Sequence, residues 1–278
     1  MPFPIAMIPY ANMAPYRQAG CPAGCRFVPL VPSASVSALR EGRVLAAAVP
    51  VAVLPALGDR VRPIGRFGIA AKEECMSVLL FSNRPLSSME DVRNLRVTAE
   101  STTSVRLLGL LLGRPEGLPR PANDTGSRPA GELIIGDKAL SGLHHWRQGL
   151  AGNETAKRLL AYSNVTDLAS EWFARTRVPF VFARWVIRSD APEACRSALG
   201  RWLDRFRRRE AEYVDAAAAT ASTETRLPEP LMRQYFDRIR RTLDADDMDG
   251  QTLFVESIES GSSILGTRAA VIPAATAA

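Results

Sequence analysis

"RVTAESTTSVRLLGLLL", residues 96–112, sets four consecutive hydroxyl residues between a β-prone pentad and a leucine-rich run. A strand (LRVTA) that enters a polar turn (ESTTS) and then a helix (VRLLGLLLG) is a building unit of α/β sheets. At such a junction free backbone N–H groups and the positive end of the helix dipole converge, and Ser or Thr hydroxyls add further donors. The arrangement suits a carboxylate or phosphate. Its plain alternative is N-capping by Ser101 or Thr102 alone. A cap needs one hydroxyl, so Ser101, Thr102, Thr103 and Ser104 are together the expected anion cradle.

The same alternation extends on both sides. "PIAMIPY" (4–10), "RFVPLVP" (26–32), "RVLAAAVPVAVL" (43–54) and "MSVLLFSNRP" (76–85) read as buried strands, the third with a turn at its end. "SASVSALREG" (33–42) reads as a helix with a Ser N-cap and a closing Gly, and "LSSMEDVRN" (86–94) as a short helix capped by Ser88, with Glu90 and Asp91 near its positive end. Residues 114–130 are rich in Pro and Gly and read as a loop. "GELIIGDKAL" (131–140) is a strand ended by a Gly136-Asp137 turn, and "VPFVFARWVIR" (178–188) is a further strand. From Ala191 the period becomes 3.6: Leu199, Trp202, Leu203 and Phe206 share one face, and Met232, Tyr235, Phe236, Ile239 and Leu243 another. The expected fold is α/β with a helical C-terminal third.

The 278 residues and 46% apolar content supply one large core or two smaller ones. The net charge of +6 is concentrated only at "RFRRR" (205–209), a solvated helix face without aromatic stacking partners, so no nucleic acid is expected. Cys21, Cys25, Cys75 and Cys195 lack paired metal spacings and read as reduced thiols. The longest apolar run, Val44–Leu57, is too short for a membrane span. The first residues carry prolines at 2, 4 and 9 and no basic segment, so a cytoplasmic protein is expected. "DADDMDGQTLFVE" (244–256) mimics a calcium loop, but Ala245 and Leu253 occupy two ligand positions. His144 and His145 are adjacent and cannot share a metal as an i, i+4 pair would; no metal or cofactor is expected.

Two further polar positions follow strands, where open α/β sheets hold ligands. Asp137 either orients a substrate hydroxyl or caps a turn. Tyr10 and Asn12, in "PYANMAPY", stand after the first strand.

Taken together, "YAN", "MSVLLFSNRP", "STTSVRLLGLLLG", "ELIIGDKAL" and "TDLASEWFARTRVPFVFARWVIR" resemble, in order and spacing, the MqnA/MqnD family of the futalosine route to menaquinone, on the MqnA (chorismate dehydratase) side. The resemblance covers most of residues 4–190. It implies a two-lobed type II periplasmic-binding-protein-like fold, with residues 1–83 plus 187–278 as lobe 1, residues 84–186 as lobe 2, and a small anion in the cleft. The implied reaction is the dehydration of chorismate to 3-[(1-carboxyvinyl)oxy]benzoate, driven by aromatisation without metal or redox cofactor. Asn12 would contact the reacting ring, and Tyr10, Ser77, Ser101–Ser104 and Asp137 would hold the dicarboxylate. No His or Glu is placed as a base, so a substrate carboxylate is the expected proton acceptor.

The chain departs from the family pattern at several places, among them "TRVPFVFA" (176–183) where "TGLPFVFA" is common. Leu45 stands where an Asp is usual, and Val51 replaces a small polar residue, which would remove a pocket hydroxyl. Arg184, before Trp185, either supplies a cation to a carboxylate or points to solvent. A non-catalytic binding protein of the same fold and an MqnD-like lyase are the alternative readings.

Overall fold

The computed structural model describes residues 1–89, 92–118, 128–150, 153–262 and 264. In chain order its elements are β1 (Phe3–Met7), α1 (Ala14–Gln18), β2 (Cys25–Pro29), α2 (Pro32–Arg40), β3 (Ala46–Pro50), α3 (Leu54–Leu57), β4 (Val61–Ala71) and β5 (Val78–Ser82). There follow β6 (Leu95–Arg96), α4 (Thr102–Leu111), β7 (Gly131–Ile135), α5 (Gly136–Gln148), α6 (Glu154–Leu160), β8 (Asn164–Asp167), α7 (Leu168–Thr176) and β9 (Phe180–Arg188). The last part holds α8 (Glu193–Arg208), α9 (Glu210–Thr225), α10 (Glu229–Arg238), β10 (Arg240–Thr242) and α11 (Ala245–Ser260).

The strands form two sheets. The first runs β10-β4-β9-β3-β1-β2, with β1 parallel to β2 and β3, and β9 antiparallel to both β3 and β4. Every residue of β3 is buried, as expected for a strand covered on both faces. The second sheet runs β6-β7-β5-β8, with β5, also wholly buried, antiparallel to β7 and β8. The chain passes between the sheets at residues 72–77 and 177–179, because β5 pairs in the second sheet and β9 in the first.

Several local expectations change. Pro32 opens α2 at its first turn with Val31 as N-cap, so Ser33 caps nothing there. Of the expected 86–94 helix, the described residues form two short 3₁₀ turns, Leu86–Ser88 and Val92–Asn94; Glu90 and Asp91 lie outside the described residues. Of the expected 114–130 loop, residues 119–127 also lie outside them. Gly136-Asp137 is the first turn of α5 rather than a turn ending β7. The calcium-like stretch is the capping box and body of α11, with Asp244 and Asp247 bonded to each other's backbone N–H. β4 and β10 were not legible as strands.

The first lobe's core is aromatic. Tyr16 stacks on Phe206 at 4.2 Å between centroids and meets Trp185 edge-on at 5.6 Å. The predicted α8 face of Leu199, Trp202, Leu203 and Phe206 is fully buried against them, each such side chain contributing about 1.5–3 kcal/mol. Trp172, Phe180 and Phe254 form a second cluster at the 177–179 crossing, Phe180 lying 5.2 Å from Trp172 and 5.0 Å from Phe254. There α11 approaches so closely that a Cβ on Gly250 would lie 1.9 Å from the Pro179 carbonyl oxygen. No described helix is long and apolar enough to cross a membrane.

Candidate functional site

A cavity of about 560 Å³, its open mouth included, lies between the two sheets. Ile8, Tyr10, Asn12, Pro32, Pro50, Ile69, Phe182, Ala183 and Ile239 line it from the first lobe, and Ser77, Val78, Ser101, Ser104, Ile135 and Gly136 from the second. An apolar wall with a few convergent polar groups is the usual form of a small-molecule site. None of these lining residues is a cation or a carboxylate. Polarity comes instead from hydroxyls, amides and the first turns of α4 and α5.

At α4 only two of the four hydroxyl residues expected in the cradle, Ser101 and Ser104, line the cavity. Ser101 is the N-cap: its Oγ accepts the Ser104 N–H at 3.2 Å and lies 3.0 Å from Ser104 Oγ. Both hydroxyls are buried on the cavity wall. Thr103 is turned away, its Oγ1 accepting the Ala52 N–H at 3.1 Å across the lobes, and Thr102 is exposed.

The Ser77 side is built from distant parts. Met76, fully buried, has φ +58°, a left-handed conformation that costs a side-chain-bearing residue on the order of 1–3 kcal/mol. Asp167 holds it, its Oδ2 accepting the N–H groups of Cys75 at 3.0 Å and Met76 at 2.7 Å. Ser77 Oγ accepts the Tyr235 hydroxyl at 3.0 Å, and Ser77 keeps its own proton as a donor. The Ser77 carbonyl accepts the N–H of Gly136 at 2.8 Å. Gly136 has φ +64°, and a Cβ there would lie 3.0 Å from the Tyr10 ring, so only glycine opens α5 in this way.

Asn12 sits in a 3₁₀ turn, Ala11–Met13, after β1. Its Oδ1 is buried without a hydrogen-bond partner, a condition that costs about 1–3 kcal/mol and is rare outside functional or solvated sites. Asp137 holds that turn across the lobes by accepting the Ala11 N–H at 2.8 Å; burial pushes its carboxyl up against this bond. Behind the turn lies the fully buried Arg241, whose Nε donates to the Asn12 carbonyl at 3.4 Å and whose Nη1 pairs with Glu210 at 3.7 Å. Burial lowers the Arg241 pKa, while Glu210 acts in the opposite sense.

Tyr10 lines the cavity, but its hydroxyl donates to Glu100, which also receives Lys138 Nζ at 3.1 Å. Burial and the Glu100 carboxylate raise the Tyr10 phenol far above its ordinary value, so it stays neutral. Burial works against ionisation of Glu100, yet Tyr10 and Lys138 hold its carboxyl low.

The remaining expectations fall away from the cavity. Arg184 neither reaches the lining nor points to solvent: it is buried, donating to the Gly65 carbonyl at 2.8 Å and to Gln251 Oε1 at 2.9 Å. Val51 is fully buried in the core and Leu45 packs against it, so neither departure alters the lining. Asp137 works through Ala11 rather than on the wall. Gly136, Asp167, Tyr235 and Arg241 were not singled out for the site by the sequence reading.

Comparisons with known proteins agree with this architecture. A chorismate dehydratase of Thermus thermophilus is 30% identical over 272 residues, covering 92% of this chain and 95% of the relative. An Archaeoglobus fulgidus protein, AF1704, superposes with a TM-score of 0.66 at 14% identity, over 93% of this chain and 97% of that one. The Candida albicans CA3427 gene product, described as having the generic periplasmic binding protein fold, gives a TM-score of 0.58 at 10% identity, over 91% and 90%. The fold is therefore the two-lobed periplasmic-binding-protein-like α/β fold. The family model described as menaquinone biosynthesis matches residues 3–260, and the chain belongs to that family.

Proposed function

We propose that this chain is a lyase that dehydrates chorismate to 3-[(1-carboxyvinyl)oxy]benzoate. The observation that carries the reading is the end-to-end similarity to a chorismate dehydratase. The polar walls of the cavity fit it chemically.

The reaction removes the ring proton at the ether-bearing carbon and the neighbouring hydroxyl, which leave together as water. No electrons are gained or lost overall, and the new aromatic ring supplies the driving force. The substrate carries two carboxylates. The α4 first turn with Ser101 and Ser104 takes one, and Ser77 with the first turn of α5 takes the other. Asn12 Oδ1, an acceptor without a partner, takes a hydrogen bond from the ring hydroxyl of the bound substrate and so fixes its orientation before it departs. No acid or His is among the lining residues to act as base, so the enolpyruvyl carboxylate of the substrate takes the ring proton and passes it to the departing hydroxyl, which leaves as water. An ester of that carboxylate turned over at the full rate would overturn this step.

The test of the function is direct. Purified protein mixed with chorismate should generate the aromatic product, followed by ultraviolet absorbance and mass spectrometry. Tight binding without turnover would assign a binding protein instead. The reading carries a cytoplasmic location, which fractionation of native cells checks.

A further inference from the structure

Asp167 ends β8 outside the ligand cavity, yet both its carboxylate oxygens are engaged. Oδ1 accepts the N–H groups of Ala169 at 2.9 Å and Ser170 at 3.3 Å, which is an ordinary N-cap of α7. It also lies 3.3 Å from Cys75 Sγ. Oδ2 accepts the successive N–H groups of Cys75 and Met76, more than ninety residues away in sequence. Two successive N–H groups turned to one oxygen by a left-handed residue form an anion-holding nest, here filled by the protein's own carboxylate. Capping α7 does not require those two bonds.

We propose that Asp167 is a positioning residue for the ligand cavity. By filling the nest it fixes Met76 in the left-handed conformation, and Met76 in turn sets the direction of Ser77. Ser77 then meets Tyr235 through its hydroxyl and Gly136 through its carbonyl, so one carboxylate outside the cavity aligns two elements of the cavity wall. The inference rests on Ser77 being a ligand contact, as in the function proposed above.

Asp167→Asn isolates this role. Asparagine is itself a good N-cap, so its carbonyl oxygen can stay on α7 while its NH₂ group faces the Cys75 and Met76 donors. The variant should fold, and hydrogen exchange at the Gly136 amide, which reports the Ser77 carbonyl, should accelerate about tenfold or more. KM for chorismate should rise about tenfold with a smaller change in kcat, and Asp167→Asn should add nothing further in a Ser77→Ala background. Unchanged Gly136 exchange overturns the proposal whatever the substrate, and independent, multiplicative effects of the two substitutions on KM overturn the coupling. A wild-type protein with no turnover would sink the function reading instead, and the exchange result would still decide this one. Should Asp167→Asn fail to fold, adding Met76→Gly supplies a residue that takes φ +58° freely. Recovery of folding and Gly136 protection then supports the nest, and no recovery counts against it.

Discussion

The cavity has two polar sides, and they are made in opposite ways. On the α4 side the contacts of the two lining hydroxyls, Ser101 and Ser104, span three residues: a cap, its hydroxyl neighbour and the first turn of α4. On the Ser77 side the defining contacts come from Asp167, Tyr235 and Gly136, all distant in sequence. A locally built side forms whenever its helix forms, whereas a side assembled from distant residues exists only in the finished fold. The first should therefore tolerate changes elsewhere in the molecule, and the second should register them.

The largest effect should come from between the two sides. Asn12→Ala removes the unpartnered acceptor and should lower kcat by roughly 100-fold or more in a folded protein; full turnover would mean that the two sides carry the reaction alone. Gly136→Ala attacks the assembled side. It places a side chain at φ +64° against the Tyr10 ring and should destabilise by about 1–2 kcal/mol or more, with KM raised; an unshifted thermal unfolding midpoint would contradict the contact.

Ser101 separates stability from binding on the local side. Ser101→Ala should lose about 1 kcal/mol of cap stability together with affinity. Ser101→Asp keeps the cap but sets a negative charge against an anionic ligand, so it should unfold like wild type while KM rises about tenfold or more. Equal KM for both variants would mean that Ser101 is a cap and nothing else.

The smallest effect belongs to the other local cap, on α11. Burial pushes the Asp247 carboxyl above its ordinary value, against the pull of the Asp244 N–H and Arg240. The native state then holds its proton to a higher pH than the unfolded chain does. Its contribution to stability is full below the ordinary carboxylate value and is lost as pH rises through the raised one. Asp247→Asn should flatten this part of the slope in urea unfolding between mildly acidic and neutral pH; an unchanged slope would reject the shift.

The same division explains what could be read in advance. α4, its Ser101 cap and the apolar face of α8 announce themselves in neighbouring residues. β4 does not, because Pro63, Gly65 and Gly68 punctuate it like a loop. Gly68 is there for a tertiary reason: a Cβ would lie 2.2 Å from the Ala183 carbonyl oxygen on β9. The β4–β9 register also skips Phe182, pairing Ile69 with Ala183 and Ala70 with Val181. That irregularity lets the consecutive Phe182 and Ala183 both line the cavity, which strict alternation forbids. Asp167 reaches Cys75 and Met76 through contacts that no neighbouring residue announces, and Arg184 finds Gly65 and Gln251 only once the sheet and α11 are in place.

A wall of hydroxyls and helix first turns, with no charged side chain among its lining residues, has a consequence for how a catalytic cycle would end. In the proposed reaction the product keeps both carboxylates and loses only the hydroxyl that Asn12 would orient. The two sides of the cavity would grip product nearly as firmly as substrate, so departure of the aromatic acid, rather than loss of water, would set the pace at high substrate, and added product would compete for the free enzyme.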